Sequence, residues 1–255
     1  MPFEIVTIPC LADNYAYLLH DPETAETALV DAPEAGPIGK VLARRGWKLD
    51  HILITHHHPD HVDAVEELRK ATGARVWGAA CDAHRLPPLD EALREGDGVV
   101  IGSQSGRVID VPGHTLGHIA FHFPESRAVF TADSLMALGC GRLFEGTAEQ
   151  MWNSLSKLAA LPPETLVCSG HEYTEANARF ALTVEPESPA LQARAEEVLA
   201  KRARGQPTVP SRLSEELATN PFLRADEPAV RACLGMEDAP AAAVFAEIRR
   251  RKDTF

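Results

Sequence analysis

Seven residues of the chain form the run THHHPDH, Thr55 to His61, which places four imidazoles and a carboxylate within six positions. Neutral imidazole and ionised carboxylate are the ligands that zinc, iron and manganese share, with zinc the usual occupant of such a set. Three further stretches carry the same chemistry. VPGHTLGHIAFHF offers His114, His118 and His122, VFTADSL offers Asp133, and LVCSGHEY offers His171. A polar turn whose histidines cap a helix or face water would explain the first run alone. Recurrence of ligand-type residues beside short apolar runs instead fits a metal site assembled from distant segments of the chain.

Those apolar runs must be the elements that position the ligands. ILIT, just before the histidines, is β-branched and reads as a buried strand, and the loop at the C-terminal end of such a strand is where α/β sheets usually carry function. Pro59 cannot sit inside a helix, so the run should be a turn that leads into a helix near Val62. In that turn His56 and His58 can converge on one ion while Asp60 and His61 face another.

Short β-rich runs recur at residues 3–9, 15–20, 27–31, 51–55, 74–78, 108–111, 118–123, 128–132 and 165–169. Amphipathic segments lie between some of them, at 37–45, 62–71 and 148–161. This alternation predicts an α/β fold with mixed sheets. After about Glu172 the strand signal stops and Ala, Glu, Arg and Leu dominate, which predicts a first domain over residues 1–172 and a helical one over 173–255. GQPTVPSRLSEELATNPF reads as an ordered connection between helices.

Composition narrows the function classes. A chain of 255 residues with 45% apolar content suits a globular protein. A net charge of -12 argues against a general nucleic-acid binder, which needs cations to neutralise phosphates. The basic cluster Arg249 to Lys252 is a local exception, and cations on a last helical turn also suit the helix dipole. MPFEIVTIPCLADNY lacks an export signal, and no run approaches the roughly 20 apolar residues of a membrane span, so a cytoplasmic protein without membrane attachment is expected. Cys10, Cys81, Cys140, Cys168 and Cys233 show no CxxC spacing and read as reduced core or loop thiols.

Taken in order and spacing, THHHPDH, PGHTLGH, FTADS and GHEY resemble the metallo-β-lactamase superfamily, and within it the hydroxyacylglutathione hydrolase (glyoxalase II) family. The similarity covers essentially the whole chain. GCGRLFEGT is similar to that family's substrate loop and RRRKDTF to the basic end of its helical domain. The resemblance implies an αββα sandwich with a C-terminal helical domain and two divalent ions per chain, zinc foremost. It implies that His56, His58 and His114 hold the first ion, that Asp60, His61 and His171 hold the second, and that Asp133 bridges both. Asp60 and Asp133 are then the catalytic carboxylates, and His118 stands outside the ligand set.

The chemistry implied is attack by a metal-bridging hydroxide on the thioester of S-(2-hydroxyacyl)glutathione, S-lactoylglutathione above all, as in methylglyoxal detoxification. Two cations about 3.5–4 Å apart lower the pKa of a shared water to about 7. A small-molecule thioester is the expected partner, and a monomer the expected state. The positions matching the family's glutathione contacts are Arg142, Phe144, Tyr173, Arg249 and Lys252. Where the family commonly has Lys and Tyr, this chain has Arg142 and Phe144, so a charge survives and a hydroxyl is lost. The common Gly-Gly after the last histidine is Asp63-Ala64, and the common Gly-Asp-Thr is Ala132-Asp133-Ser134. The rival readings are a one-iron persulfide dioxygenase, another thioesterase or lactamase of the superfamily, and a metal-holding protein without turnover.

Overall fold

The computed structural model describes all residues, Met1–Phe255, as two compact units. The first comprises Met1–Asp110 and Gly117–Ala132. It opens with β1 (Glu4–Cys10), β2 (Asn14–His20), β3 (Thr27–Val30), α1 (Ala35–Arg45), β4 (His51–Leu53), α2 (Pro59–Val62), α3 (Val65–Thr72) and β5 (Arg75–Ala79). A 3-10 turn over Ala80–Asp82 leads to β6 (Glu91–Leu93), β7 (Gly98–Ile101), β8 (Gln104–Asp110), β9 (Ile119–Phe123) and β10 (Ala128–Ala132).

Strands β1 to β6 form one mixed sheet in chain order, antiparallel from β1 to β3 and parallel from β3 to β6. Every residue of β3 is buried, as expected for a strand covered on both faces. Helices α1 and α3 cover it with Ile38, Leu42, Val65 and Leu68, which join Ile52, Ile54 and Val76 in one apolar cluster. Each such side chain removed from water contributes about 1.5–3 kcal/mol. Strands β7 to β10 pair in sequence, all antiparallel.

The second unit comprises Val111–Leu116 and Asp133–Phe255. It contains the hairpin of β11 (Leu135–Met136) and β12 (Gly139–Cys140), α4 (Ala148–Ala159), β13 (Leu166–Ser169), α5 (Thr174–Val184) and α6 (Pro189–Ala203). There follow β14 (Ser211–Arg212), α7 (Leu213–Thr219), α8 (Pro228–Leu234) and α9 (Ala241–Thr254). Helix α4 starts at a capping box in which the Thr147 hydroxyl accepts from Gln150 N and the Gln150 side chain accepts from Thr147 N.

Three sequence expectations need correction. The helix expected near Val62 is two helices, because Pro59 occupies the first position of α2, where its missing N–H costs nothing. Strands β6 and β7, with Glu91 and Gly98 at their starts, escaped the apolar pattern, and β8 begins earlier than expected. The connection after Gly205 contains helix α7 and strand β14, which pairs with β13 through Arg212 and Ser211, so the strand content does not end at Glu172.

Candidate metal centre

In the first unit the histidine run is organised by a residue that the sequence reading passed over, Asp31. It follows β3 with a left-handed backbone (φ 56°), strained for a residue with a side chain, and is 2% exposed. Its Oδ1 accepts from Thr55 N at 2.9 Å, and its Oδ2 accepts from the Thr55 hydroxyl at 2.9 Å. His61 Nδ1 lies 2.8 Å from the same Oδ2, so the Nδ1–H donates to the carboxylate and Nε2 carries the lone pair.

The Thr55 hydroxyl, having given its proton to Asp31, accepts from His56 Nδ1 at 3.0 Å. One buried carboxylate therefore sets the tautomers of two histidines. His56 Nε2 then meets His58 Nδ1 at 3.2 Å. The His118 ring stacks on His56 at 4.5 Å, behind the donors. Asp60 is held by Asn14, whose Nδ2 donates to Asp60 O at 3.1 Å and to Oδ2 at 2.9 Å.

In the second unit Asp133 is 6% exposed and follows Ala132, which adopts a left-handed backbone (φ 40°). A glycine at that position would hold this conformation without strain. Asp133 Oδ2 lies 3.4 Å from His114 Nε2 and 3.2 Å from His171 Nε2. The carbonyl of Arg142 accepts from His114 Nδ1 at 2.8 Å, so the Nε2 turned towards Asp133 carries a lone pair. A lone pair facing a carboxylate oxygen is favourable only with a proton or a cation between them. The donor set therefore fits a metal ion. Gly141 has no room for a side chain, since a Cβ there would fall 1.9 Å from Asp133 O and 2.9 Å from His114 Nδ1.

The hairpin between Asp133 and Arg142 is anchored by the helices. Glu216, fully buried and paired with Arg194, accepts from Leu138 N at 2.8 Å. Asn220 Nδ2 donates to Met136 O and Gly139 O, both at 3.0 Å, and Asn177 Nδ2 donates to Ala137 O at 3.1 Å. Arg249, 5% exposed, donates through Nη1 to Cys140 O at 3.0 Å and through Nε to Asp253 at 3.0 Å, with Phe222 under its guanidinium. Its guanidinium is committed to the loop.

Of the other expected substrate contacts, Arg142 and Phe144 are exposed, and the Phe144 ring stands edge-on to His114 at 5.2 Å. Tyr173 is 40% exposed and stacks on His171 at 4.7 Å. Lys252 Nζ donates to Ala176 O at 3.2 Å and lies over Phe180. Burial, and then Arg249, Arg179 and Arg142, push the Lys252 ammonium down to about 8. Burial pushes the Cys140 thiol up to about 11, so the loop's cysteine is protonated at neutral pH and is not a nucleophile.

The first unit thus gathers His56, His58, Asp60 and His61, and the second gathers His114, Asp133 and His171 with Arg142, Phe144 and Tyr173. All seven donors belong to groups of side chains able to hold a metal ion. The sequence signal for Asp31 was available, because LVDA places a carboxylate after an apolar strand just as FTAD does. Glu216 and Asn220 had no signal, since both lie in the stretch that read as a connection between helices.

Residues 13–171 match the model of the metallo-beta-lactamase superfamily, and residues 172–255 match that of the hydroxyacylglutathione hydrolase C-terminus. A hydroxyacylglutathione hydrolase of Cereibacter sphaeroides is 68% identical over the full length of both chains, and that of Ruegeria pomeroyi is 64% identical over the full length of both. Among solved structures, TTHA1623 in a di-iron-bound form superposes with a TM-score of 0.61 at 28% identity, covering 86% of this chain and 99% of that one.

Proposed function

The chain belongs to the hydroxyacylglutathione hydrolase family of the metallo-beta-lactamase superfamily, with α/β sheets and a helical C-terminal part, and we propose S-lactoylglutathione as its principal substrate. It is a thioester hydrolase, releasing glutathione and a 2-hydroxy acid from the S-(2-hydroxyacyl) thioester. Its fold and its His and Asp donors imply divalent metal ions.

The observation that carries this reading is Asp133, buried with the Nε2 atoms of His114 and His171 turned to one of its oxygens. We assign His56, His58 and His114 to one ion, Asp60, His61 and His171 to a second, and Asp133 to both. Zinc is our choice for both ions, and the di-iron-bound form of TTHA1623 keeps iron as the alternative. When bound, such ions supply Lewis acidity and a water acidic enough to attack a carbonyl at neutral pH.

The remaining steps belong to the chain. Asp31 and the Arg142 carbonyl keep Nε2 of His61 and His114 free of protons. Thiolate is a fair leaving group, with a parent pKa of about 8.5, so no strong general acid is required. Arg142, Tyr173 and Lys252 receive the carboxylates of glutathione, Phe144 covers the ligand where the family often has tyrosine, and Arg249 acts through the Cys140 loop.

Residues 1–172 thereby carry the chemistry and, with Arg142 and Phe144, part of the substrate contacts, and residues 173–255 supply Tyr173 and Lys252. We place the protein in the cytoplasm, as a monomer, where its five cysteines, none in a disulfide, stay reduced; no helix is long and apolar enough to cross a membrane. The persulfide dioxygenase reading is disfavoured by the complete second set of donors, Asp60, His61 and His171, and by the 68% identity to a thioester hydrolase. Release of free thiol from S-lactoylglutathione that stops on chelation tests the reaction.

The substrate contacts give a pH signature. Lys252 is lowered to about 8, so its charge is present below that pH and lost above it. If the charged form binds the glutathione carboxylate, KM rises about tenfold between pH 7 and pH 9, while Lys252→Arg, charged throughout, shows a flat KM. Parallel profiles of the two proteins would remove Lys252 from the binding site. The sign for stability is opposite. A Lys whose folded pKa lies below its unfolded value favours unfolding while protonated, so its contribution improves as pH climbs from about 8 towards about 10.4.

A further inference from the structure

The assigned ligands leave one imidazole of the run unused, His57, and that ring has partners of its own. His57 Nδ1 lies 3.2 Å from Asp82 Oδ2. Arg85 donates to Asp82 Oδ1 through Nε at 2.9 Å and through Nη2 at 2.6 Å, and its Nη1 lies 3.3 Å from His57 Nε2. Because arginine can only donate, Nε2 of His57 must accept, which leaves the ring proton on Nδ1, within ion-pair distance of the Asp82 carboxylate.

Asp82 is 3% exposed, and the guanidinium holds one of its oxygens by two donors, which fixes the carboxylate plane. The second segment of the motif closes on the same group. A Cβ on Gly117 would fall 2.3 Å from Asp82 Cγ, so only glycine passes there. The next residue, His118, stacks on His56, and the His57 and His58 rings lie 5.0 Å apart. Asp82 therefore touches both the loop that carries His56 and His58 and the segment that backs His56.

We propose that Asp82, held by Arg85, is a positioning residue that fixes the His57 ring and, through the short backbone on either side of it, aims His56 and His58 at their metal ion. This rests on the reading of those two histidines as ligands. Its loss should show in metal affinity, not in the chemical step of the loaded enzyme.

The test is chelator competition on the zinc-loaded protein, with the visible spectrum of the cobalt-substituted protein as a second readout. Asp82→Asn keeps the shape but opposes an amide N–H to the His57 N–H. It should weaken zinc binding at least about tenfold and shift the cobalt bands, while kcat and KM at saturating zinc stay within about twofold of wild type. His57→Leu should behave alike. His57→Asn, whose Nδ2–H replaces the Nδ1–H, should keep near-wild-type affinity.

Wild-type affinity in both Asp82→Asn and His57→Leu would overturn the proposal. So would a loss in Asp82→Asn alone, accompanied by an equal loss in the melting of the metal-free protein, which would make Asp82 a fold residue. An intact affinity pattern in a protein that hydrolyses no glutathione thioester would reject the assigned reaction and uphold the positioning role.

Discussion

Asp133→Ala is expected to abolish thioester hydrolysis to within about a thousandth of wild type, a transition-state loss of about 4 kcal/mol, and to lower the metal content. The carboxylate is the group onto which His114 and His171 converge, at 3.4 and 3.2 Å, and nothing else in that unit replaces its charge. Without it the Nε2 atoms of His114 and His171 lose the anion they share, and a bound cation would lose that charge compensation. Metal analysis and kcat on the same preparation check this. Asp133→Ala with a wild-type kcat would remove the residue from the metal centre.

The second large effect is expected at Asp31. Its two oxygens accept from Thr55 N, the Thr55 hydroxyl and His61 Nδ1, all at 2.8–2.9 Å and all buried. Asp31→Asn leaves one oxygen to serve three donors and turns an N–H towards one of them. Charge-assisted bonds of this kind are worth about 1.5–3 kcal/mol each, and outer partners of metal-binding histidines about 10–100-fold in affinity. We therefore expect a lower melting temperature in the metal-free protein and weaker zinc binding, measured by calorimetry and chelator competition. Unchanged values in both would show that the His56 and His61 tautomers need no carboxylate.

Much of this was legible in the sequence for a physical reason. Strands such as β3, β9 and β10 are buried along their whole length and so read as continuous apolar runs, and Asp133 directly follows one of them. Strands β6, β7 and β14 are short and partly exposed, and their pairing comes from neighbours the local sequence does not reveal. Pro59 misled because the rule against proline inside a helix says nothing against its first position.

The ligands were more legible than what orients them. A histidine after a strand announces itself, whereas Asp31 looked like a strand end and Glu216 lay in a stretch that read as a connection between helices. Arg249 shows the reverse. Its charge and place matched a substrate contact, but its guanidinium is spent on Cys140 O and Asp253. The change from the family's glycine to Ala132 was visible in the sequence. Its cost was not, because it lies in a backbone angle.

The central claim is metal-dependent hydrolysis of a glutathione thioester by this chain. Its most direct test is the rate of free-thiol release from S-lactoylglutathione by purified, metal-analysed protein, with an acyl coenzyme A thioester measured beside it. We predict fast release from the glutathione ester, slow release from the coenzyme A ester, loss of both on chelation and recovery with zinc. No thiol from S-lactoylglutathione by metal-loaded protein, or equal rates from the two esters, would contradict it.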